Sequence, residues 1–321
     1  MPGCSSDVVP GSRLSTTRVL GARVTVGGDA ARTWPRPGET ALARWIVAGP
    51  KPRPLAWSFT ARACLAAMDD DRCRTEGAAV PPAAPDSGSG SSDGTTLPTL
   101  SVTAPPGAVD RLIIAGVICA GGAVADPAAP AWQRCGSAAS DDGGSVDETD
   151  VQLTIPVQLG DDGNASPSLG DDVITLGAAA WSSGAGDTNL SASGGPCADD
   201  ASQPHVALVD DQKHEVVVEI DAADRERIAP SAEDPASPVR EAAQLSAFAT
   251  LGSFQTQFRT VLAEDERPTT PLDFKWTPPS KTDAAVEAEG RLVRLVFVLR
   301  DGRGGLDVTT RTLCLVPPAA R

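Results

Sequence analysis

Arg291-Leu-Val-Arg-Leu-Val-Phe-Val-Leu299, then Asp301-Gly-Arg-Gly-Gly-Leu-Asp307, then Arg311-Thr-Leu-Cys-Leu-Val316, is the stretch that decides the fold. A run of branched and aromatic residues stops at a glycine-rich turn and a second apolar run follows, which reads as two strands joined by a hairpin with a bulge. The glycines supply positive φ in that turn, and Arg300 and Arg303 stand ready to pair with neighbouring carboxylates.

Working outward, strands of the same style recur. Arg18–Val26 and Thr40–Val47 carry alternating or continuous apolar residues between Gly/Pro turns, and Arg111–Cys119 reads as a strand buried on both faces. Asp150–Leu159 alternates up to Pro156, which favours an edge or a bulge. Asp172–Leu176, His214–Ile220 and Leu272–Trp276 complete the series. One helix is expected, over Val239–Leu251, opened by Pro238 and closed by Gly252.

Regular short strands with turns between them predict an all-β chain of two immunoglobulin-like β-sandwich domains, with long Gly/Pro/Ser-rich insertions and at most one short helix. Pro54-Leu-Ala-Trp57 and Pro271-Leu-Asp-Phe-Lys-Trp276 are each followed by a long apolar strand, Leu112 to Gly122 and Leu292 to Gly305, which suggests a weak internal repeat. The expected layout is a tether over 1–13, a first sandwich over 14–160 with a flexible insertion at 78–96, and a second sandwich over 166–318. Ser182 to Pro204 is a Gly/Ser/Asp loop within the second.

The chain has 321 residues, which fits one to three domains, and a net charge of 27 − 42 = −15. Such an acidic surface repels phosphate backbones, and no basic patch offsets it, so a nucleic-acid partner is not expected. Arg outnumbers Lys 23 to 4 and Tyr is absent, the bias that GC-rich codons impose, so the composition is not read as disorder. No stretch of apolar residues is long enough to span a membrane.

Seven cysteines divide into Cys4 and six others. Gly3-Cys4-Ser5-Ser6 looks like the end of a bacterial lipoprotein signal peptide with Cys4 as the acylated residue; the alternative is an ordinary terminal thiol. The apolar part of such a leader does not precede Cys4 in these residues, so on that reading either the start lies upstream of Met1 or the leader has been trimmed away. Cys64, Cys73, Cys119, Cys135, Cys197 and Cys314 are compatible with three disulfides in an oxidising compartment. Proximity favours Cys64 with Cys73 and Cys119 with Cys135, leaving Cys197 for Cys314, among about 15 possible connectivities. Zinc is disfavoured, because no C-x2-C pair exists and His205 and His214 are far from any cysteine at ligand spacing.

Asp301 and Asp307 are the strongest candidate calcium ligands, since Asp-Gly-x-Gly-Gly-x-Asp turns occur in calcium-binding sandwiches; a plain hairpin is the simpler account. Acidic runs at Asp69–Asp71, Asp141–Asp142, Asp161–Asp162, Asp171–Asp172, Asp199–Asp200 and Asp210–Asp211 lack the D-x-[DN]-x-[DN]-G spacing and are read as solvated turns. No Walker loop or dinucleotide fingerprint occurs, and with His205 and His214 as the only histidines acid–base chemistry is severely limited, so no catalytic residue is expected.

Several segments resemble predicted cell-envelope lipoproteins of myxobacteria and similar high-GC bacteria. They are Gly3-Cys4-Ser5-Ser6, Arg18-Val-Leu-Gly-Ala, Pro37-Gly-Glu-Thr40 and Arg53-Pro-Leu-Ala-Trp57 with Cys64, and most specifically Leu299–Asp307 closing with Arg311-Thr-Leu-Cys314. His214-Glu-Val-Val-Val, Arg240-Glu241, Phe248-Ala-Thr-Leu-Gly252 and Trp276-Thr-Pro-Pro279 are similar as well, while 78–96 falls outside the likeness. The resemblance implies a secreted or outer-membrane-tethered protein with immunoglobulin-like domains and no established activity. The expectation is a non-enzymatic lipoprotein at the outer membrane or cell surface, secreted if Cys4 is not acylated, and attached to the membrane by its lipid alone. It would act as a structural or interaction subunit whose partners are other envelope or extracellular proteins or copies of itself. The alternative is an adhesive or ligand-binding module that recognises glycan or calcium, with no other cofactor.

Overall fold

The computed structural model describes residues 11–318 apart from 30, 85–87, 95, 108, 126–133, 137–145, 161–162, 170–173, 182–194, 229–238, 281–285 and 287. Cys4, Asp141–Asp142, Asp161–Asp162, Asp171–Asp172 and most of the 182–204 loop therefore lie outside the described residues.

The chain is all-β. Its first half runs β1 (Arg18–Val26), β2 (Thr40–Ala48), β3 (Leu55–Cys64), a short helix α1 (Asp70–Glu76), β4 (Ala78–Val80), β5 (Ser89–Ser92), β6 (Thr99–Thr103), β7 (Arg111–Ala120), β8 (Ala123–Val124), β9 (Cys135–Gly136) and β10 (Asp147–Pro156). One sheet has the order β1-β2-β6 and the facing one β10-β7-β3-β4, with β5 also on β3. Alternation along β2 sends Ala41, Ala43, Trp45 and Val47 into the core between these sheets, where Trp45 stacks on Phe59 with ring centroids 3.9 Å apart.

Strand β7 is buried on both faces, as its unbroken apolar run predicts, and two disulfides explain the second covering. Ile113 packs under the Cys64–Cys73 bridge, and Val117 lies beside Cys119, which is bridged to Cys135. The composition of 78–96 predicts a flexible insertion apart from the core, yet its described residues supply β4 and β5, both paired with β3. Ser and Gly join a ladder through their backbones without any side-chain periodicity, so composition alone gave no sign of it.

The second half runs β11 (Ile174–Leu176), β12 (Ala179–Ala180), β13 (His205–Ala207), β14 (His214–Asp221), β15 (Arg227–Ile228), β16 (Val239–Arg240), β17 (Ala243–Ala249), β18 (Ser253–Phe254), β19 (Phe258–Val261), β20 (Thr269–Thr277), β21 (Arg291–Asp301) and β22 (Leu306–Val316). Sheets β12-β11-β14-β20-β18 and β13-β22-β21-β17-β19 enclose a core in which Phe254, Phe274 and Phe297 meet edge to face. The Arg291–Val316 segment forms the β21–β22 hairpin, in register from Arg291 opposite Leu315 to Arg300 opposite Leu306.

The helix expected over Val239–Leu251 is not formed; that segment supplies β16 and β17. Ala243, Leu245, Ala247 and Ala249 face the core, while Ser246 and Phe248 are buried on the opposite face and Gln244 alone is exposed, so β17 is covered on both sides and its Ala-rich sequence imitates a helix. The helix lies instead at Asp70–Glu76. Asp69 caps it by accepting from the Arg72 amide at 2.7 Å, and Cys73 ties it to β3. The acidic run Asp69–Asp71 is thus a helix start and not a bare turn, its negative charges suiting the N-terminal end of α1.

The internal repeat does not survive in the topology. Trp57 and β7 share a sheet, whereas Trp276 on β20 and the hairpin strand β21 belong to opposite sheets. Three shared residues, Pro, Leu and Trp, with a later apolar strand do not specify connectivity.

The two sandwiches pack against each other. Leu20, Ile46 and Ala48 on the outer side of the β1-β2-β6 sheet meet Phe248, Val296 and Val298 on the outer side of the second sandwich. Residues before β1 also dock on the second sandwich: the Leu14 amide donates to Ala249 O at 2.8 Å, and the Ala249 amide donates to Ser12 O at 2.9 Å. Among the described residues no helix is long and apolar enough to cross a membrane.

Candidate functional site

The Asp301–Asp307 turn lies where the two sandwiches meet. Asp301 Oδ1 accepts from the amides of Arg303 (2.8 Å) and Gly305 (2.7 Å), and its Oδ2 accepts from Asn164 Nδ2 (3.1 Å). Asp307 accepts from the Leu169 amide at 2.8 Å and pairs with Arg23 at 3.3 Å. Both carboxylates sequence had marked for calcium therefore hold the turn, the 163–169 connector and β1 together. Among the described residues no group of three or more His, Cys, Asp or Glu is placed to hold a metal ion.

Arg303 is the centre of this junction. Its guanidinium lies 4.4 Å from the centroid of the Trp34 ring, pairs with Glu226 at 3.2 Å and donates to Gly163 O. Trp34 Nε1 returns a bond to Arg303 O at 3.0 Å, and Glu226 also accepts from the Ala165 amide at 3.1 Å. The connector between the sandwiches is thereby held from both sides.

Glu241 lies buried beside this network, and its Oε1 accepts no hydrogen bond. Burial pushes its carboxyl up to about 8, the negative charges of Asp301 and Glu226 push the same way, and Arg303 opposes them. In the unfolded chain the group ionises near 4.5. Between these values the folded protein keeps a proton that the unfolded chain has released. This contribution is therefore fully present below about pH 4.5, declines as pH rises, and is gone above about pH 8, at a slope on the order of 1.4 kcal/mol per pH unit. Urea unfolding from pH 5 to 8 should show the decline, and Glu241→Gln should flatten it; an unchanged slope would remove Glu241 as its cause.

A cleft of about 390 Å³ opens next to the junction, between β1, β10 and the β21–β22 turn. Val19, Ala22, Val151, Leu153 and Leu306 give it apolar walls, and Arg300 closes one side by donating to Leu20 O and, at 3.3 Å, to Ser246 Oγ. A bulge in β1 shapes this wall: Val19 pairs with Val47 but Gly21 with Ile46, leaving Leu20 as the extra residue. Gly21 holds φ at +149°, and a Cβ there would stand 2.5 Å from Leu306 Cδ1, so a side chain at this position would be strained and would displace Leu306.

The remaining sequence-marked residues are dispersed. The disulfides join Cys64 to Cys73, Cys119 to Cys135 and Cys197 to Cys314, the pairing that proximity favoured. His205 on β13 and His214 on β14 fall in opposite sheets of the second sandwich. Asp200 accepts from the Ser202 amide and hydroxyl, a local turn, which with the hydrogen bond from Gln203 holds its carboxyl below the usual range. Of the residues that build the junction, Trp34 and Glu226 carry no local sequence signal, and Glu241 stands out only within the family likeness; the isolated glycine inside the Arg18–Val26 strand is the one local signal of a bulge. No protein-family model matches the chain, and no curated protein matches its sequence.

Proposed function

We propose that the protein is a non-catalytic, surface-exposed lipoprotein, anchored through an acylated Cys4, that serves as a structural or interaction subunit of a cell-envelope or extracellular assembly, with its two sandwiches belonging to the immunoglobulin-like class. The observation that carries the reading is the junction. Arg303, Glu226, Asp301 and Asn164 are engaged in fixing one sandwich on the other, which suits a part whose shape is its contribution. Three disulfides in a chain with few aromatics fit an oxidising exterior. Its partners are other envelope or extracellular proteins, or further copies.

Isolation of the protein from native membranes, with mass analysis of its mature N-terminus and identification of its companions, tests both halves. A diacylated or triacylated Cys4 and a stoichiometric companion are expected. A monomer that purifies alone would end the assembly reading, and an unmodified N-terminus would end the anchor.

The cleft at the junction favours a second reading, an adhesive or ligand-binding module for glycan or calcium. If calcium binds at Asp301 and Asp307, saturating it at about 100 times its Kd should add about 2.7 kcal/mol to stability. Equal melting temperatures in calcium and in chelator would remove that version.

A further inference from the structure

We propose that the cleft between β1 and β10 takes up an extended strand of a partner protein, one with alternating apolar residues and a basic flank, added to the free edge of β10. This rests on the subunit reading and names the kind of partner it requires.

The first sandwich is sealed along one side and open along the other. On the sealed side the Ala83 amide donates to Ser101 O at 2.7 Å and the Gly88 amide to Thr99 O at 3.2 Å, while Pro82 bridges to Val102. On the open side β1 and β10 are, among the described residues, the terminal strands of their sheets. Its two ends are pinned: Asp147 accepts from the Thr17 amide at 3.1 Å and from Arg53 at 2.9 Å, and the Gln158 amide donates to Pro35 O at 2.8 Å. Between these pins the cleft runs along 149–153 of β10 and 19–22 of β1. Five residues of strand cover roughly 17 Å, an ordinary strand length.

Three apolar residues along this gap are incompletely covered by the first core. Val19, Val151 and Leu153 pack against that core but remain only partly buried. Val151 and Leu153 stand two apart on β10 and so share one face, which asks for apolar side chains at alternate positions of the incoming strand. Charge then selects the partner. Asp150 is exposed on the rim and the whole chain carries −15, so a second copy is repelled and a basic flank is attracted. Acidic residues on an edge also keep indiscriminate strands away.

The test uses the full chain and fluorescent nine-residue peptides with Val, Ile, Leu or Phe alternating with Thr, each in a Lys-flanked, a Glu-flanked and a proline-centred form. At least one Lys-flanked peptide should bind at least tenfold more tightly than its Glu-flanked and proline-centred counterparts, and amides in 149–153 should gain hydrogen-exchange protection. Asp150→Lys, on the solvent face, should reverse the flank preference, and Val151→Arg should abolish binding. Failure of every peptide to bind below roughly 1 mM, equal binding of the proline-centred forms, or an unaltered preference in Asp150→Lys overturns the proposal. Companions that stay with Val151→Arg in membrane isolates would remove the cleft and leave the subunit reading intact. Specific peptide binding by a protein that purifies alone would do the reverse.

Discussion

Cys197→Ala combined with Cys314→Ala is expected to lower the unfolding free energy by about 4–5 kcal/mol, the loop-closure entropy for a bridge that spans 117 residues. The shorter Cys64–Cys73 bridge spans 9 residues, and its removal should cost about 2.5 kcal/mol on the same reasoning. Location adds to the difference. Cys314 lies on β22, where β13 pairs in parallel with His205 opposite Cys314, so the long bridge also fastens the edge of the sheet. Guanidinium unfolding of the two double variants, side by side, provides the check. Equal losses would show that the bridges act through local contacts and not through the unfolded chain.

Phe297→Ala should cost about 3–5 kcal/mol, because Phe297 is fully buried and its ring meets both Phe254 and Phe274. Phe258→Ala is the natural control: Phe258 is 54% exposed on β19, and its loss should stay within about 0.5 kcal/mol. If thermal melting showed similar shifts for the two variants, the second core would not be the principal source of stability in that sandwich.

Much of the fold could be read from strands whose pattern is set locally. The β21–β22 hairpin, β7 and β14 carry enough branched residues, bounded by Gly or charged turns, to exclude other structures. Residues 239–251 have a helix-like pattern for a physical reason: β17 is covered by the core on one face and by the other sandwich on the opposite face, and such coverage erases alternation. Helix α1 escaped notice because its seven residues are held by the Asp69 cap and a disulfide, with little helical periodicity of its own. The junction was legible only in part. Asp301 and Asp307 stood out as a turn, but Trp34 and Arg303 are 269 residues apart, and a contact of that separation leaves no trace in local spacing. Glu241 reads as an ordinary acid in sequence, and only burial beside Asp301 changes its chemistry.

The docking of residues 12–14 on β17 and β18 has a mechanical consequence. Ser12 and Leu14 bond to Ala249, Arg13 bridges it in parallel, and the Ser12 hydroxyl donates to Phe254 O at 3.3 Å, all before the chain enters β1. A pull on the amino-terminal side therefore loads the second sandwich first. Because this segment runs parallel to the strand it touches, tension along it slides the contacts past one another together and cannot unzip them one at a time. Its resistance is a rate of forced opening, set by the barrier and not by the equilibrium stability of either sandwich.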